Sequence, residues 1–231
     1  MGGVIDDPVV RWVAGQPGAI VWERSGAAAV ACPDLSRRDR VAVEGEPEAV
    51  SRLLRDEVFP RVGPTYRPIG DEELIVAVTE RLPGVEVAGR FGWMDVAAPV
   101  PAGKIDARWL QPGELPQVAA LLGEVFPHSY AQPGDPGVRR WAGVRGDDGT
   151  LLAVAADAWS TADIGLLSGV ATRVEARGRG LARELCAFVT NDLITGRDRV
   201  GLFVDSWNVA AITAYTKLGF VLRKVAAASV S

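Results

Sequence analysis

Only two cysteines occur in the 231 residues, Cys32 and Cys186, and they have neither the spacing of a zinc site nor the density of a disulfide framework. A reducing compartment is expected, and no metal. Long apolar runs are also absent: no segment reaches the ~20 residues that a membrane helix needs. The opening MGGVIDDPVVRWV lacks the basic region and apolar stretch of a secretory signal, so a cytoplasmic protein without a membrane partner is expected. Basic charge is not in excess either. A net charge of −4 argues against nucleic acid as the main partner, because phosphate backbones are bound by broad clusters of Lys and Arg. Low-complexity tracts and residue-level repeats are missing.

Core material is plentiful. Apolar residues make up 48% of the chain and charged residues 23%, the balance of an ordinary folded protein, and the length suits one large domain or two smaller ones. In the first half, residues 19–32 read as a hairpin turning at Ser25–Gly26, followed by a strand near Arg40–Val43. Val50, Leu53, Leu54 and Val58 recur at helical spacing within residues 46–59. Asp71 is placed to cap a helix running to about Leu82, and residues 85–96 look extended. Pro99, Pro101 and Gly103 then interrupt regular structure, which sets a boundary between residues 1–105 and 106–231.

The second half begins with Ala107–Leu110 and a helix over residues 113–126, striped by Leu115, Val118, Leu121, Leu122 and Val125. Strands over 140–145 and 151–159 flank the turn Asp147-Asp148-Gly149, and a third follows over 165–174. A helix from Gly180 to about Thr195 should bury Leu181, Leu185, Phe188, Val189 and Leu193, with Cys186 also facing the core. A strand over 200–204, a short helix capped by Asn208 and ended by Gly219, and a strand over 220–230 complete the chain.

The informative segment is the run from Gly169 to Val189, in which a strand leads through Arg177-Gly178-Arg179-Gly180-Leu181-Ala182 directly into an amphipathic helix. Glycines let the backbone approach a ligand, and a helix start offers unpaired N–H groups and the positive end of a dipole, so this is an anion site in outline. Neither G-x-x-x-x-G-K-[ST] nor a full G-x-G-x-x-G with its acidic partner is present, which disfavours ATP and NAD. An Arg-Gly-Arg-Gly RNA element is disfavoured by the acidic total and by the lack of repeats or stacking aromatics.

With Arg177, Gly180 and Ala182 in an R-x-x-G-x-[GA] arrangement, the sequence resembles the GNAT superfamily of N-acyltransferases. A second block, VDSWNVAAITAYTKLGF, is similar to the late strand and helix of that superfamily, with Asn208, Tyr215 and the Leu218-Gly219-Phe220 ending in order. The pattern spans residues 107–230 and looks closest to the glycine N-acyltransferase-like branch. Val174, where relatives often have proline, departs from it. The resemblance implies an α/β (α+β) fold with a mixed, mostly antiparallel central sheet flanked by helices. It implies acetyl-CoA, or another acyl-CoA, as cosubstrate. Backbone groups of Gly178, Arg179, Gly180, Leu181, Ala182 and Arg183 would then hold pyrophosphate beside Arg177, and Val170, Ala171 and Thr172 would pair with the pantetheine arm. Asn208 would contact the cofactor, and Tyr215 would protonate the departing thiolate.

The acceptor is expected to be a small-molecule or peptide amine that attacks the thioester directly. Asp157, Ser168 and Asp205 are candidates for its general base, each with the alternative of an ordinary strand polar group. His128, after Pro127 at a helix end, reads as a loop residue. The first half has no pyrophosphate loop, and Gly89-Arg90-Phe91-Gly92 is too weak to be one; its strand and helix order suits a degenerate copy of the same fold that shapes the acceptor site. The competing reading is a non-catalytic acyl-CoA-binding or partner-binding module.

Overall fold

The computed structural model describes residues 5–103 and 105–231. Two compact units divide the chain: Met1–Trp93 with Phe203–Asn208 and Leu222–Ser231 form the first, and Met94–Leu202 with Val209–Val221 form the second. The chain first passes from one unit to the other after Trp93, and the C-terminal strand returns to the first unit. That strand is recruited because Val225–Ala227 pair antiparallel with Ile69–Asp71.

In the first unit, α1 (Pro8–Ala14) starts on Asp7, whose Oδ1 accepts the N–H groups of Val9 at 2.8 Å and Val10 at 3.2 Å, with Pro8 at the first helical position. Sequence reading did not place this helix. β-branched valines weaken its intrinsic propensity, but burial of Val9, Val10, Trp12 and Val13 overrides that. Strands β1 (Ile20–Arg24), β2 (Ala27–Cys32) and β3 (Arg40–Gly45) form an antiparallel meander, as expected for the hairpin.

The helix expected over 46–59 runs on to Val62 in three pieces: α2 (Pro47–Leu53), a π turn (Leu54–Val58) and α3 (Phe59–Val62). Pro60 has no N–H to give an ordinary helical bond, and the wider turn just before it, closed by the Phe59 N–H on Leu54 O, accommodates its ring. β4 (Arg67–Asp71) pairs parallel to β3. Its Pro and Gly disguise it as a loop, yet Gly70 is there because a Cβ would sit 2.7 Å from Val43 O. Asp71 caps α4 (Glu72–Thr79) through Glu73 and Leu74 N–H groups, and β5 (Val85–Val96) follows. The core of this unit joins Val41, Val43, Val50, Leu54, Ile75 and Val78.

In the second unit, β6 (Ala107–Trp109), α5 (Leu115–Val125), β7 (Val138–Arg145), β8 (Leu151–Ala158) and β9 (Ile164–Thr172) follow the expected order. β6 through β9 are antiparallel neighbours. Gly149, at φ +81°, closes the β7–β8 turn, where Gly146 N–H reaches Thr150 O at 2.9 Å. α6 (Leu181–Leu193) crosses over to β10 (Arg199–Asp205), which pairs parallel to β9. α7 (Val209–Lys217) and β11 (Val221–Val230) end the chain. α6 buries Leu185, Cys186, Val189 and Leu193 as expected, whereas Leu181 and Phe188 are half-buried at the edge of that face. The succession helix, three antiparallel strands, helix, parallel strand, helix, strand therefore occurs twice along the chain: α1 to β5, and α5 to β11.

Candidate functional site

β9 is irregular where the site residues begin. Its register against β8 runs Thr172 to Ala153 and Ala171 to Val154, then jumps to Ser168 opposite Ala156, so one extra residue is inserted in β9. Gly169 takes up the bulge at φ +61°. A side chain there is barred twice, by the left-handed backbone and by the Trp141 ring 2.5 Å from where a Cβ would lie. Neither Gly169 nor buried Trp141 was singled out from sequence. Their signal, a glycine inside a strand pattern, was present in the apolar run 164–172.

The other edge of β9 is only partly used. Its pairing to β10 covers Ile164–Leu166 against Arg199–Gly201, so Leu167–Thr172, including Val170, Ala171 and Thr172, lie beyond that ladder. The Thr172 hydroxyl is buried and has no hydrogen-bond partner among the described residues.

After β9 the chain makes a 3-10 turn at Val174–Ala176 and reaches the loop. Val174, the departure from the family pattern, is 61% exposed and carries no core packing. Arg177 Nε donates to Thr172 O at 3.3 Å, which ties the loop to the strand end. Gly178 and Gly180 have φ of +76° and +79°, and a Cβ on either would meet nothing within 4 Å. These glycines serve conformation, and the space in front of them is open. Gly180 is the N-cap of α6, and no side chain among the described residues caps the first turn. The N–H groups that start α6 at Leu181, Ala182 and Arg183 thus lack the usual side-chain acceptor, the state in which a helix start attracts an anion. Arg177, Arg179 and Arg183 are exposed around it.

Tyr215 lies on α7, 8% exposed, its ring tilted at 54° against Phe220 with 5.9 Å between centroids. Burial raises its pKa well above the ordinary phenol value, and the neighbouring Cys186 thiol raises it further. Burial likewise pushes the Cys186 thiol up to about 12, partly offset by the Tyr215 hydroxyl. The hydroxyl is therefore protonated throughout the neutral range. Asn208 immediately precedes α7, with its N–H on Asp205 O at 2.9 Å.

Of the base candidates, Asp157 is committed elsewhere. It is 2% exposed and accepts from Arg140 Nε at 3.2 Å and Ser160 Oγ at 2.5 Å, while Arg140 stacks 3.7 Å over the Trp109 ring and also pairs with Asp192. Such a carboxylate balances a buried network and is not a free base. Ser168 is half-buried beside the bulge, Asp205 is exposed at the end of β10, and His128 is exposed in the loop after α5. No group of three or more metal-ligating side chains occurs among the described residues, and none of their helices is long and apolar enough to cross a membrane.

Residues 144–228 match the FR47-like protein family. No curated protein matches the chain significantly. Solved structures share its fold along most of its length. A GCN5-related N-acetyltransferase from Kribbella flavida superposes with a TM-score of 0.66 at 16% identity, covering 96% of this chain and 92% of that one. A GCN5-related N-acetyltransferase from Sphaerobacter thermophilus gives 0.61 at 18% identity, covering 88% and 76%. A GNAT-family protein from Novosphingobium aromaticivorans gives 0.59 at 20% identity, covering 98% and 100%. At these identities the likeness is one of fold. The chain thus has the fold of these GNAT-family structures, with an FR47-like segment over residues 144–228.

Proposed function

We propose that the protein is an acyl-CoA-dependent N-acyltransferase that moves an acyl group, acetyl in the simplest case, to a primary amine. The observation that carries this reading is the open junction from Gly178 to Arg183, which offers helix-start N–H groups without a side-chain cap directly after the unpaired edge of β9. Pyrophosphate would occupy the helix start with Arg177 and Arg179 beside it, and the pantetheine amides would pair with the edge at Val170–Thr172. The bulge at Gly169 turns that edge locally, and strand N–H groups there would steady the tetrahedral oxyanion as the amine attacks the thioester. The C–N bond forms and the C–S bond breaks; the thiolate takes a proton from Tyr215, whose environment keeps it protonated, and the proton that the amine loses passes to water and so returns the phenol to its starting state. The acetyltransferases of like fold support acyl transfer as the reaction class. We read the first half as a degenerate copy that shapes the acceptor site, since it repeats the element order without the loop.

Thermal unfolding tests the reading. A ligand that binds only the folded state raises Tm by mass action, so acetyl-CoA at a hundred times its Kd should add about 2.7 kcal/mol of stability while ATP and NAD add none. Equal shifts with all three, or none with any CoA thioester, would refute a dedicated CoA site.

A further inference from the structure

Arg140 and Trp141 are neighbours on β7, and successive residues of a strand point to opposite faces of its sheet. Arg140 pairs with Asp192 of α6, so Trp141 stands on the other face, where the loop after α5 lies. Between Trp141 and β9 there is only the small side chain of Ala156, which is opposite Trp141 on one side and Ser168 on the other. The indole therefore reaches the bulge. A Cβ at Gly169 would lie 2.5 Å from Cη2 of the ring, 2.9 Å from Cζ3, and 3.3 Å from the Ala131 methyl. Trp141 is 1% exposed and Ala131 fully buried, which makes the two a closed wall behind β9. The indole N–H in that wall has no hydrogen-bond partner among the described residues. Burying a donor unpaired costs stability that Phe or Leu at the same place would not lose. What this position uses is the length of the tryptophan ring, since its polar group is a burden there.

Resting on the acyl-CoA reading above, we infer that Trp141 sets the length of the acyl group and restricts it to acetyl or propionyl. With pyrophosphate at the start of α6 and the arm paired back along Thr172 to Val170, the thioester arrives at Gly169 and its acyl group points past the bulge. Three boundaries meet it there. Ahead, β9 is already closed on β10, with Leu166 paired to Gly201. On the α6 side lies Tyr215, beside the buried Cys186. On the opposite side stand the tip of the Trp141 ring and the Ala131 methyl. Each methylene added to the acyl chain has to displace one of these, and a close-packed interior resists even that small increase in volume.

Calorimetric titration of the full-length protein with acetyl-CoA, butyryl-CoA and hexanoyl-CoA decides the matter. Wild type should bind acetyl-CoA about tenfold or more tightly than hexanoyl-CoA, the discrimination that a methylene or two commands in a packed site. Trp141→Phe, which keeps an aromatic core residue and removes the unpaired N–H, should close most of the gap for butyryl-CoA. Trp141→Leu should extend this to hexanoyl-CoA, and acetyl-CoA affinity should stay within about threefold of wild type in both. A folded Trp141→Phe protein with the wild-type order of affinities would remove Trp141 from the selection. If wild type binds all three thioesters equally, the acyl-CoA reading stands and the length limit falls; if it binds none of them, the acyl-CoA reading fails and takes this one with it.

Discussion

Each unit contains a strand, a helical crossover and a parallel strand, yet the two strand-to-helix junctions differ in the one respect that matters for an anion. In the first unit β3 reaches α2 through Gly45, Glu46 and Pro47. Gly45 sits at φ +120° with its would-be Cβ 2.2 Å from Gly26 O, Glu46 N–H donates to that same oxygen at 2.8 Å, and Pro47 has no N–H to offer. In the second unit β9 reaches α6 through Gly178 and Gly180, which face open space, and among the described residues no side chain caps the helix. The topology thus supplies two helix starts in equivalent places, neither with a side-chain cap among the described residues, and at the first the approach is narrowed by Gly26 and Pro47. The following helices differ in parallel fashion. Asp71 precedes α4 as Asn208 precedes α7, and at the seventh helical residue α4 has fully buried Val78 where α7 has Tyr215. Burial is common to both positions, and only one holds a transferable proton.

The sharpest way to break this comparison is a pair of glycine substitutions. Gly180→Asp should leave a folded protein, at a cost of about 1 kcal/mol for a non-glycine residue in the left-handed region, while CoA binding falls by roughly a thousandfold through lost backbone access and charge repulsion. Gly45→Ala should do the reverse. Its methyl group meets backbone at 2.2 Å, so stability should drop by about 2–5 kcal/mol with CoA affinity of the remaining folded protein unchanged. Calorimetry and denaturant unfolding on both variants read the four values, and a Gly180→Asp protein that binds CoA normally would remove the open junction from the mechanism.

Tyr215→Phe makes α7 resemble the protonless α4. If the phenol protonates the leaving thiolate, kcat with an active amine should fall about 100-fold or more, with cofactor affinity retained. A variant within about threefold of wild type would show that the ring only fills the core, as Val78 does.

The smallest expected effect concerns stability at alkaline pH. Cys186 has its folded-state pKa pushed up to about 12 from 9.0, so above pH 9 the unfolded chain loses the proton that the folded chain keeps. Stability from this group is complete below pH 9 and declines as pH rises towards 12, by the linkage of proton binding to folding. Tyr215, raised from 10.0, adds to the decline in the same direction. Cys186→Ala should therefore be less stable at pH 7 but show a shallower fall in Tm between pH 9 and 11; an unchanged slope would assign the alkaline loss to other groups.

Elements with a regular period were legible before any coordinates: the β1–β2 and β7–β8 hairpins, α5, α6 and the long β5 all lie where alternation, helical spacing and turn residues put them. Those missed were disguised by local composition. β4 contains Pro68 and Gly70 and becomes a strand through its pairing with β3 and β11, and α1 is a valine-rich helix held by its cap and its burial. Within the proposed site, the glycine loop was visible as a strand-to-helix junction, and Tyr215 was named by the family resemblance. The bulge at Gly169 could not, since it is defined by register against β8, and Asp157 could not be separated from a base until Arg140 and Ser160 were seen to hold it.

By itself, the sequence determined the strand, glycine turn and helix at Arg177–Arg183 and the helix that follows Asn208 and carries Tyr215, because these depend on interactions among residues close in the chain: backbone conformation at glycine, helix capping and periodic burial. Which of two equivalent helix starts is open, where the last strand is inserted, and what lies beside the Tyr215 hydroxyl were decided only by tertiary structure. Each depends on groups brought together from distant positions, Gly26 against Gly45, Val225–Ala227 against Ile69–Asp71, and Cys186 against Tyr215, and local propensity carries no information about such pairings.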